Sequence, residues 1–153
     1  MNMNTENYSF YAVPVAWLLA LAPHAYAMML LDKKFDNMQP RSNVLKLESD
    51  QSLDKATKGF IVRAEGAQQN GFENLGLFAA AVVAGNIAGL PARTLNILSG
   101  GYLASRVLYN IVYINNTTPL IGHARSTMWL TSVGFIFGFF IMSGNALKSR
   151  VIV

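Results

Sequence analysis

The strongest constraint on the fold is a run of 24 residues, Tyr8 to Leu31, that contains no Asp, Glu, Lys or Arg. A transmembrane helix needs roughly 20 mostly apolar residues, so this run is long enough to cross a bilayer with some tilt. The segment His24 to Ala27 resembles a small-residue cleavage site. However, the preceding residues contain Glu6 and no basic residue, and apolar residues 28–31 follow, which favours a retained helix over a signal peptide.

Composition extends this argument to the whole chain. Only 13% of the 153 residues are charged and 52% are hydrophobic, whereas an average soluble domain is about 25% charged. The length is typical of one domain, and four spans of about 20 residues occupy a little over half of it. We therefore predict an all-α membrane protein, a four-transmembrane-helix bundle that forms a single domain over residues 1–153.

The polar residues divide this domain into spans and connections. The predicted spans are about 8–31, 59–88, 92–114 and 123–147. Residues 32–58 carry six Lys/Arg and five Asp/Glu and are predicted to form a polar loop. The positive-inside rule places that loop and the linker between the third and fourth spans, residues 115–122, in the cytosol. Because acids are mixed with the bases, the loop is expected to be solvated, and no nucleic acid partner is expected.

The available side chains exclude several kinds of chemistry. The chain has no cysteine, which excludes disulfides, thiolate metal sites and cysteine nucleophiles. His24 and His123 lie far apart in sequence, so no metal site is predicted. His24 is expected to be a hydrogen-bonding residue within the bundle, because no acid accompanies it along the chain.

Ionisable residues inside the predicted spans need an explanation, because each costs at least about 2.5 to 3.5 kcal/mol on insertion scales. Helical geometry places Arg63, Asn70 and Glu73 within about 80° on one face of the second span. Five polar residues lie within about 100° on the third span: Tyr102, Arg106, Tyr109, Asn110 and Tyr113. The topology brings both faces and Arg125 to the cytosolic side.

Two interpretations of this polar cluster remain open. It could bind a small acidic ligand that carries an amine, or an arginine could pair with Glu73 to hold helices together. The cluster contains three arginines (Arg63, Arg106 and Arg125), whereas the spans contain only two acidic residues, Glu65 and Glu73. Pairing would leave positive charge over, which favours a binding site.

Three segments together resemble a known family. They are residues 63–73 (RAEGAQQNGFE), Arg106-x-x-Tyr109-x-x-x-Tyr113, and Arg125-Ser126 at the start of the last span. This combination resembles the MAPEG family, the membrane-associated proteins in eicosanoid and glutathione metabolism, over about residues 55–150. The resemblance implies a homotrimer that binds glutathione between neighbouring protomers near the cytosolic face. It also implies a lipophilic small-molecule substrate that arrives from the lipid bilayer.

The resemblance also implies roles for individual residues. Asn70 and Glu73 would contact glutathione, Arg106 and Tyr113 would hold its carboxylates, and Tyr109 would line the pocket. Arg125 and Ser126 would form the catalytic pair that activates the thiol, because a permanently charged guanidinium stabilises a thiolate.

The chain also departs from the family pattern. Many members have arginine where this chain has Gly66, so Arg63 or a loop lysine is expected to supply the missing carboxylate contact.

Two functions follow from these expectations. The first is a glutathione S-transferase of lipophilic electrophiles, with peroxidase activity as an addition. The alternative is a non-enzymatic, lipid-binding or partner-presenting scaffold, which Gly66 favours. A transporter or channel is disfavoured because the chain has no inverted repeat. The expected location is the endoplasmic reticulum or another endomembrane in a eukaryote, or the inner membrane in a bacterium.

Overall fold

A computed structural model describes residues 6–32, 36–39, 42–47 and 49–151, and within these ranges the regular structure is entirely helical. A 3-10 turn at Ser9–Tyr11 precedes the first helix. The helices are α1 (Ala12–Leu31), α2 (Asn43–Lys46), α3 (Lys55–Ile87), α4 (Ala92–Ile114) and α5 (Pro119–Val151). The predicted all-α class is confirmed.

The start of α3 differs from the predicted span because of an N-cap. The helix begins at Lys55, not at about residue 59, and the Asp54 Oδ1 atom accepts hydrogen bonds from the backbone N–H groups of Ala56 and Thr57 at 2.9 and 3.0 Å. The Thr57 hydroxyl donates to the other carboxylate oxygen at 2.6 Å, and these bonds lower the pKa of Asp54. The cap therefore stabilises the fold above the ordinary pKa of Asp54 and is lost as pH falls through the lowered pKa.

Two further boundaries correct the prediction. Helix α5 begins at Pro119, ahead of residue 123, because proline suits the first helical position and the Thr118 Oγ1 atom accepts from the Ile121 N–H group at 3.4 Å. The region 32–58 is not entirely a solvated loop. It contains α2, which is followed by Leu47, a side chain only 3% exposed that packs in one cluster with Leu31 and Ile61.

The four long helices alternate in direction, which brings the polar segments to one end. A Cβ atom at Gly71 of α3 would lie 2.7 Å from the Ala20 Cβ of α1, and one at Gly101 of α4 would overlap the Phe135 ring of α5. Gly71 therefore allows the backbones of α1 and α3 to approach closely, and Gly101 makes room for the Phe135 ring. The beginning of α3, the end of α4 and the beginning of α5 consequently lie side by side.

A proline inside α1 is accommodated by a bond from α4. Pro23 has no N–H group, so the carbonyl of Leu19, four residues earlier, loses its helical partner. The Asn110 Nδ2 atom donates to that carbonyl at 2.8 Å. Neighbouring helices often satisfy backbone groups that a proline frees in an apolar environment.

This contact gives a prediction for a double-mutant cycle. Asn110→Ala should destabilise the protein by about 1 kcal/mol more in the native background than in a Pro23→Ala background, where residue 23 again supplies the missing N–H group. Thermal unfolding of the four variants in detergent measures this coupling. An equal effect of Asn110→Ala in both backgrounds would show that the Leu19 carbonyl is not the group that Asn110 satisfies.

Two stretches of the described chain, Ser9–Leu31 and Pro119–Ser149, are long and apolar enough to cross a membrane. Only 22% of the most apolar window of each is buried inside the protomer. A core helix of a soluble protein would be mostly buried, so these exposed apolar surfaces fit contact with lipid or with neighbouring subunits. Helices α3 and α4 do not have such an apolar window, and the four membrane crossings stay a prediction.

Candidate functional site

A cavity of about 560 Å³ lies between α3, α4 and α5, within the size range of small-molecule sites. It is at the end of the bundle where α3 and α5 begin. The residues that line it are Gly66, Gln69, Asn70, Glu73, Tyr109, Tyr113, Arg125, Ser126, Trp129 and Leu130.

Helix α3 supplies the amide and carboxylate groups of the wall. Gly66, Asn70 and Glu73 recur at helical spacing, so one face of α3 points into the cavity. The Gln69 Nε2 atom donates to the Glu73 Oε1 atom at 3.1 Å. Gln69 and Glu73 are both exposed in the protomer, which leaves their remaining polar atoms accessible to a ligand.

Helix α4 supplies two tyrosines, and α5 supplies the cation. The Tyr109 and Tyr113 rings meet edge to face, with centroids 5.4 Å apart, and the Arg125 Cζ atom lies over the Tyr113 ring, 4.9 Å from its centroid. Trp129 and Leu130 follow one turn later on α5. The cavity wall therefore joins polar groups with a permanent positive charge to an apolar surface.

Six of the eight predicted site residues line this one cavity: Asn70, Glu73, Tyr109, Tyr113, Arg125 and Ser126. The Ser126 hydroxyl donates to the Gly122 carbonyl at 3.3 Å, and the residue is exposed. The predicted polar faces of α3 and α4 thus meet the start of α5 at one cavity, and the roles that the family resemblance implies for these residues stay predictions.

Arg106 lies behind the cavity wall and is not among the lining residues. Its side chain is buried, at 3% exposure, and its Nη1 atom donates to the Asn70 Oδ1 atom at 3.0 Å. Its Cζ atom also lies 4.2 Å from the centroid of the Tyr109 ring. The structure therefore places Arg106 where it orients two wall residues, and its role in holding a carboxylate stays a prediction.

Arg63 is also outside the wall, and its contact is structural. Its Nε atom donates to the Ile114 carbonyl at 2.6 Å. Ile114 is the last residue of α4, where carbonyls have no partner within the helix. The role of Arg63 as a replacement cation for glutathione stays a prediction, and within the protomer neither Arg63 nor Arg106 forms the alternative ion pair with Glu73.

The packing around residue 66 explains why this position is a glycine. A Cβ atom at this position would lie 2.6 Å from the Tyr113 hydroxyl oxygen and 3.1 Å from the Tyr113 Cζ atom. A side chain at residue 66 and the present position of Tyr113 are therefore incompatible. The space next to the residue 66 backbone is filled by the Tyr113 hydroxyl.

The sequence reasoning missed two features near this site. Gln69, Trp129 and Leu130 line the cavity, and their helical spacing from Glu73 and Arg125 would have identified them. His24 does have an acidic partner, because its Nδ1 atom lies 2.7 Å from the Glu65 Oε1 atom on α3. Nothing in the spacing of two residues on different helices indicates that contact.

Comparison with known proteins gives one match. No curated protein and no solved structure matches the chain. The family model described as the MAPEG family matches residues 9–145, a range that includes α1, α3, α4, most of α5 and every residue of the cavity wall. On this match the chain belongs to the MAPEG family, and it shares with that family the location in a membrane.

Proposed function

We propose that the protein is a membrane-bound glutathione S-transferase that conjugates glutathione to lipophilic electrophiles. The observation that carries the proposal is the position of Arg125, at the boundary between the polar and the apolar parts of the cavity wall. A thiol activated at that boundary would meet an electrophile that reaches Trp129 and Leu130 from the bilayer. Reduction of lipid hydroperoxides by the same thiol is proposed as a second reaction.

The chemistry follows from the charge of Arg125. A free thiol has a pKa near 8.5, so only a few per cent is thiolate at neutral pH. A neighbouring guanidinium stabilises the anion and lowers that pKa. In conjugation the sulfur forms a bond to the electrophilic carbon, and the leaving group departs with its bonding electrons. In hydroperoxide reduction two thiols become a disulfide, and an alcohol and water are released.

The polar wall suits the rest of glutathione only in part. Glu73 can accept the ammonium group, and the amides of Gln69 and Asn70 can donate to a carboxylate. Of the described residues that line the cavity, Arg125 alone is a cation, whereas glutathione has two carboxylates. We propose that a neighbouring protomer supplies further donors, so that the glutathione site is formed between protomers.

The exposure of several cavity-lining residues in the protomer supports the proposed homotrimer. Gln69, Glu73, Ser126 and Leu130 line the cavity and are all exposed in the protomer. A Glu73 carboxylate that faced lipid would be costly in free energy, so we expect the surface of a neighbouring protomer to cover it. We propose a trimer of four-span protomers with the site towards the cytosol, in an endomembrane of a eukaryote or the inner membrane of a bacterium. Native mass spectrometry in detergent tests the subunit number.

Turnover with electrophiles of increasing hydrophobicity tests the proposed activity. The purified protein in lipid vesicles is mixed with glutathione and a series of activated aryl halides with alkyl chains of increasing length, and thioether formation is followed by absorbance. We expect kcat/KM to rise with chain length. Absence of thioether with every member of the series would contradict the transferase.

Gly66 favours a second candidate, the non-enzymatic scaffold, because the family arginine is missing. Tyr113 occupies the space beside Gly66, so the absence of a side chain there also has a packing reason. Binding of a fluorescent fatty acid together with no binding of glutathione would support the scaffold and contradict the transferase.

A further inference from the structure

A row of four side chains connects the interior of the bundle to the cavity. Arg106 lies over the ring of Tyr109, Tyr109 meets Tyr113 edge to face, and the guanidinium of Arg125 lies over the Tyr113 ring. The row begins at a buried arginine on α4 and ends at the cation of the cavity wall on α5. Tyr113 therefore lies between Tyr109, which contacts the buried Arg106, and Arg125.

The ring of Tyr113 is held on three sides. The backbone of Gly66 lies against its hydroxyl end, Tyr109 lies against its edge, and Arg125 lies over its face. Because a Cβ atom at residue 66 would be only 2.6 Å from the hydroxyl oxygen, this position of the ring requires glycine there. Gly66 and Tyr113 consequently form a matched pair across α3 and α4.

The Tyr113 ring is the aromatic contact of Arg125. Among the residues that the structure describes, the Arg125 guanidinium forms no hydrogen bond or ion pair, and its Cζ atom lies 4.9 Å from the centroid of the Tyr113 ring. A cation–π contact uses the face of the guanidinium and leaves its N–H donors, which lie in the plane, free for an anion. A carboxylate partner would instead occupy those donors and neutralise the charge.

We propose that Tyr113 is a positioning residue whose ring holds the Arg125 guanidinium at the cavity with its donors free, and that Gly66 is required to let the ring take this position. This inference rests on the proposed function, in which Arg125 stabilises a thiolate. It assigns Tyr113 a task that the aromatic ring performs and for which the hydroxyl group is not needed.

Three variants separate the ring from the hydroxyl. The readout is the thiolate absorbance of bound glutathione as a function of pH, with glutathione affinity measured in parallel. Tyr113→Phe keeps the ring, so at saturating glutathione the thiolate fraction of the bound ligand should stay as in the native protein, while a lower affinity would report the carboxylate contact expected of the hydroxyl. Tyr113→Leu removes the ring, and the thiolate fraction at neutral pH should fall about tenfold, the scale of a lost cation–π contact in a desolvated site. The fall should approach that of Arg125→Ala.

Gly66 is tested by rescue. Gly66→Ala should lower the thiolate signal in the native background, because the new methyl group displaces the Tyr113 hydroxyl. The same change combined with Tyr113→Phe should restore most of the signal, since the nearest ring atom is then the Cζ atom at 3.1 Å and a small shift suffices. Misfolding caused by the same clash would also be relieved in the double variant, so the thermal unfolding temperature of Gly66→Ala is measured with the signal and should stay close to that of the native protein.

Several outcomes would overturn the proposal. A signal as low in Tyr113→Phe as in Tyr113→Leu would show that the hydroxyl acts on the ligand itself. A native signal in Tyr113→Leu would show that the ring is not needed. An equal loss for Gly66→Ala in both backgrounds would show that Gly66 does not act through Tyr113.

A second readout keeps this inference separate from the proposed function. The rate at which phenylglyoxal modifies Arg125 is measured by mass spectrometry without any thiol, with Arg93 as an internal reference. Stacking on the ring should slow the reaction, so the rate should rise in Tyr113→Leu and not in Tyr113→Phe. If the native protein binds no glutathione, the proposed function fails. Equal Arg125 rates in all three proteins would then overturn the positioning role as well.

Discussion

Replacing Arg125 with alanine is expected to lower kcat for glutathione conjugation about 100-fold, the usual scale for removing one preorganised donor from a site of developing or stabilised negative charge. Glutathione binding should weaken much less, because Asn70, Glu73 and the remaining wall stay in place. Steady-state rates and calorimetric titration of the same preparations measure the two effects. Arg125→Lys should fall between the native protein and the alanine variant, since lysine keeps the charge without the planar donors.

Arg93 provides the matched control. It lies at the beginning of α4, at the opposite end of the bundle from the cavity, and it is exposed. Arg93→Ala removes the same charge from the protein and should leave kcat unchanged. Equal losses in the two alanine variants, or native turnover in Arg125→Ala, would show that Arg125 does not activate the thiol.

Replacing Arg106 with leucine is expected to weaken glutathione binding about tenfold with little change in kcat. The physical reason is that Asn70 loses the donor at 3.0 Å that orients its amide, and the Tyr109 ring loses the cation beside it. Folding stability should change little. The Arg106 Nη2 atom is buried without a hydrogen-bond partner among the described residues, and removing an incompletely paired charge offsets the lost contacts.

Esters of glutathione distinguish this positioning role from a direct bond to a carboxylate. If Arg106 acts through Asn70 and Tyr109, the monoethyl and diethyl esters should lose affinity for Arg106→Leu by the same factor as glutathione. If Arg106 held a carboxylate, the ester lacking that group would bind the native and variant proteins alike, and this result would contradict the structure-based role.

Arg63→Ala is the companion variant for Arg106→Leu. The native Arg63 side chain donates a hydrogen bond to the Ile114 carbonyl at the end of α4, and Arg63 does not line the cavity. The change should lower the thermal unfolding temperature and leave glutathione affinity unaltered. The sequence assigned both arginines to one binding site. We expect Arg106→Leu to weaken binding and Arg63→Ala to lower stability.

Helical periodicity accounts for what could be predicted about the site. The 3.6-residue repeat placed Asn70 with Glu73 on α3 and Tyr109 with Tyr113 on α4, and the alternating direction of the helices brought those faces together. The limits of α4 followed from the turn before Ala92 and the polar residues after Ile114. These features depend on the local geometry of a helix, which can be derived from a single sequence.

The contacts that could not be predicted depend on register between helices. Arg63 and Arg106 share faces with the wall residues, yet their partners are the Ile114 carbonyl and the Asn70 amide. His24 and Glu65 are 41 positions apart and meet at 2.7 Å. From the sequence, Gly66 was interpreted as the loss of a ligand contact. The packing of Tyr113 against Gly66 depends on how α4 lies against α3, which the sequence does not show.

Titration of glutathione into the purified native protein, followed by the ultraviolet difference absorbance of the thiolate, tests the proposed activation of a thiol most directly. A saturable thiolate signal at neutral pH, absent in Arg125→Ala and retained in Arg93→Ala, is the predicted result. The absence of a thiolate signal together with no calorimetric binding of glutathione would contradict it.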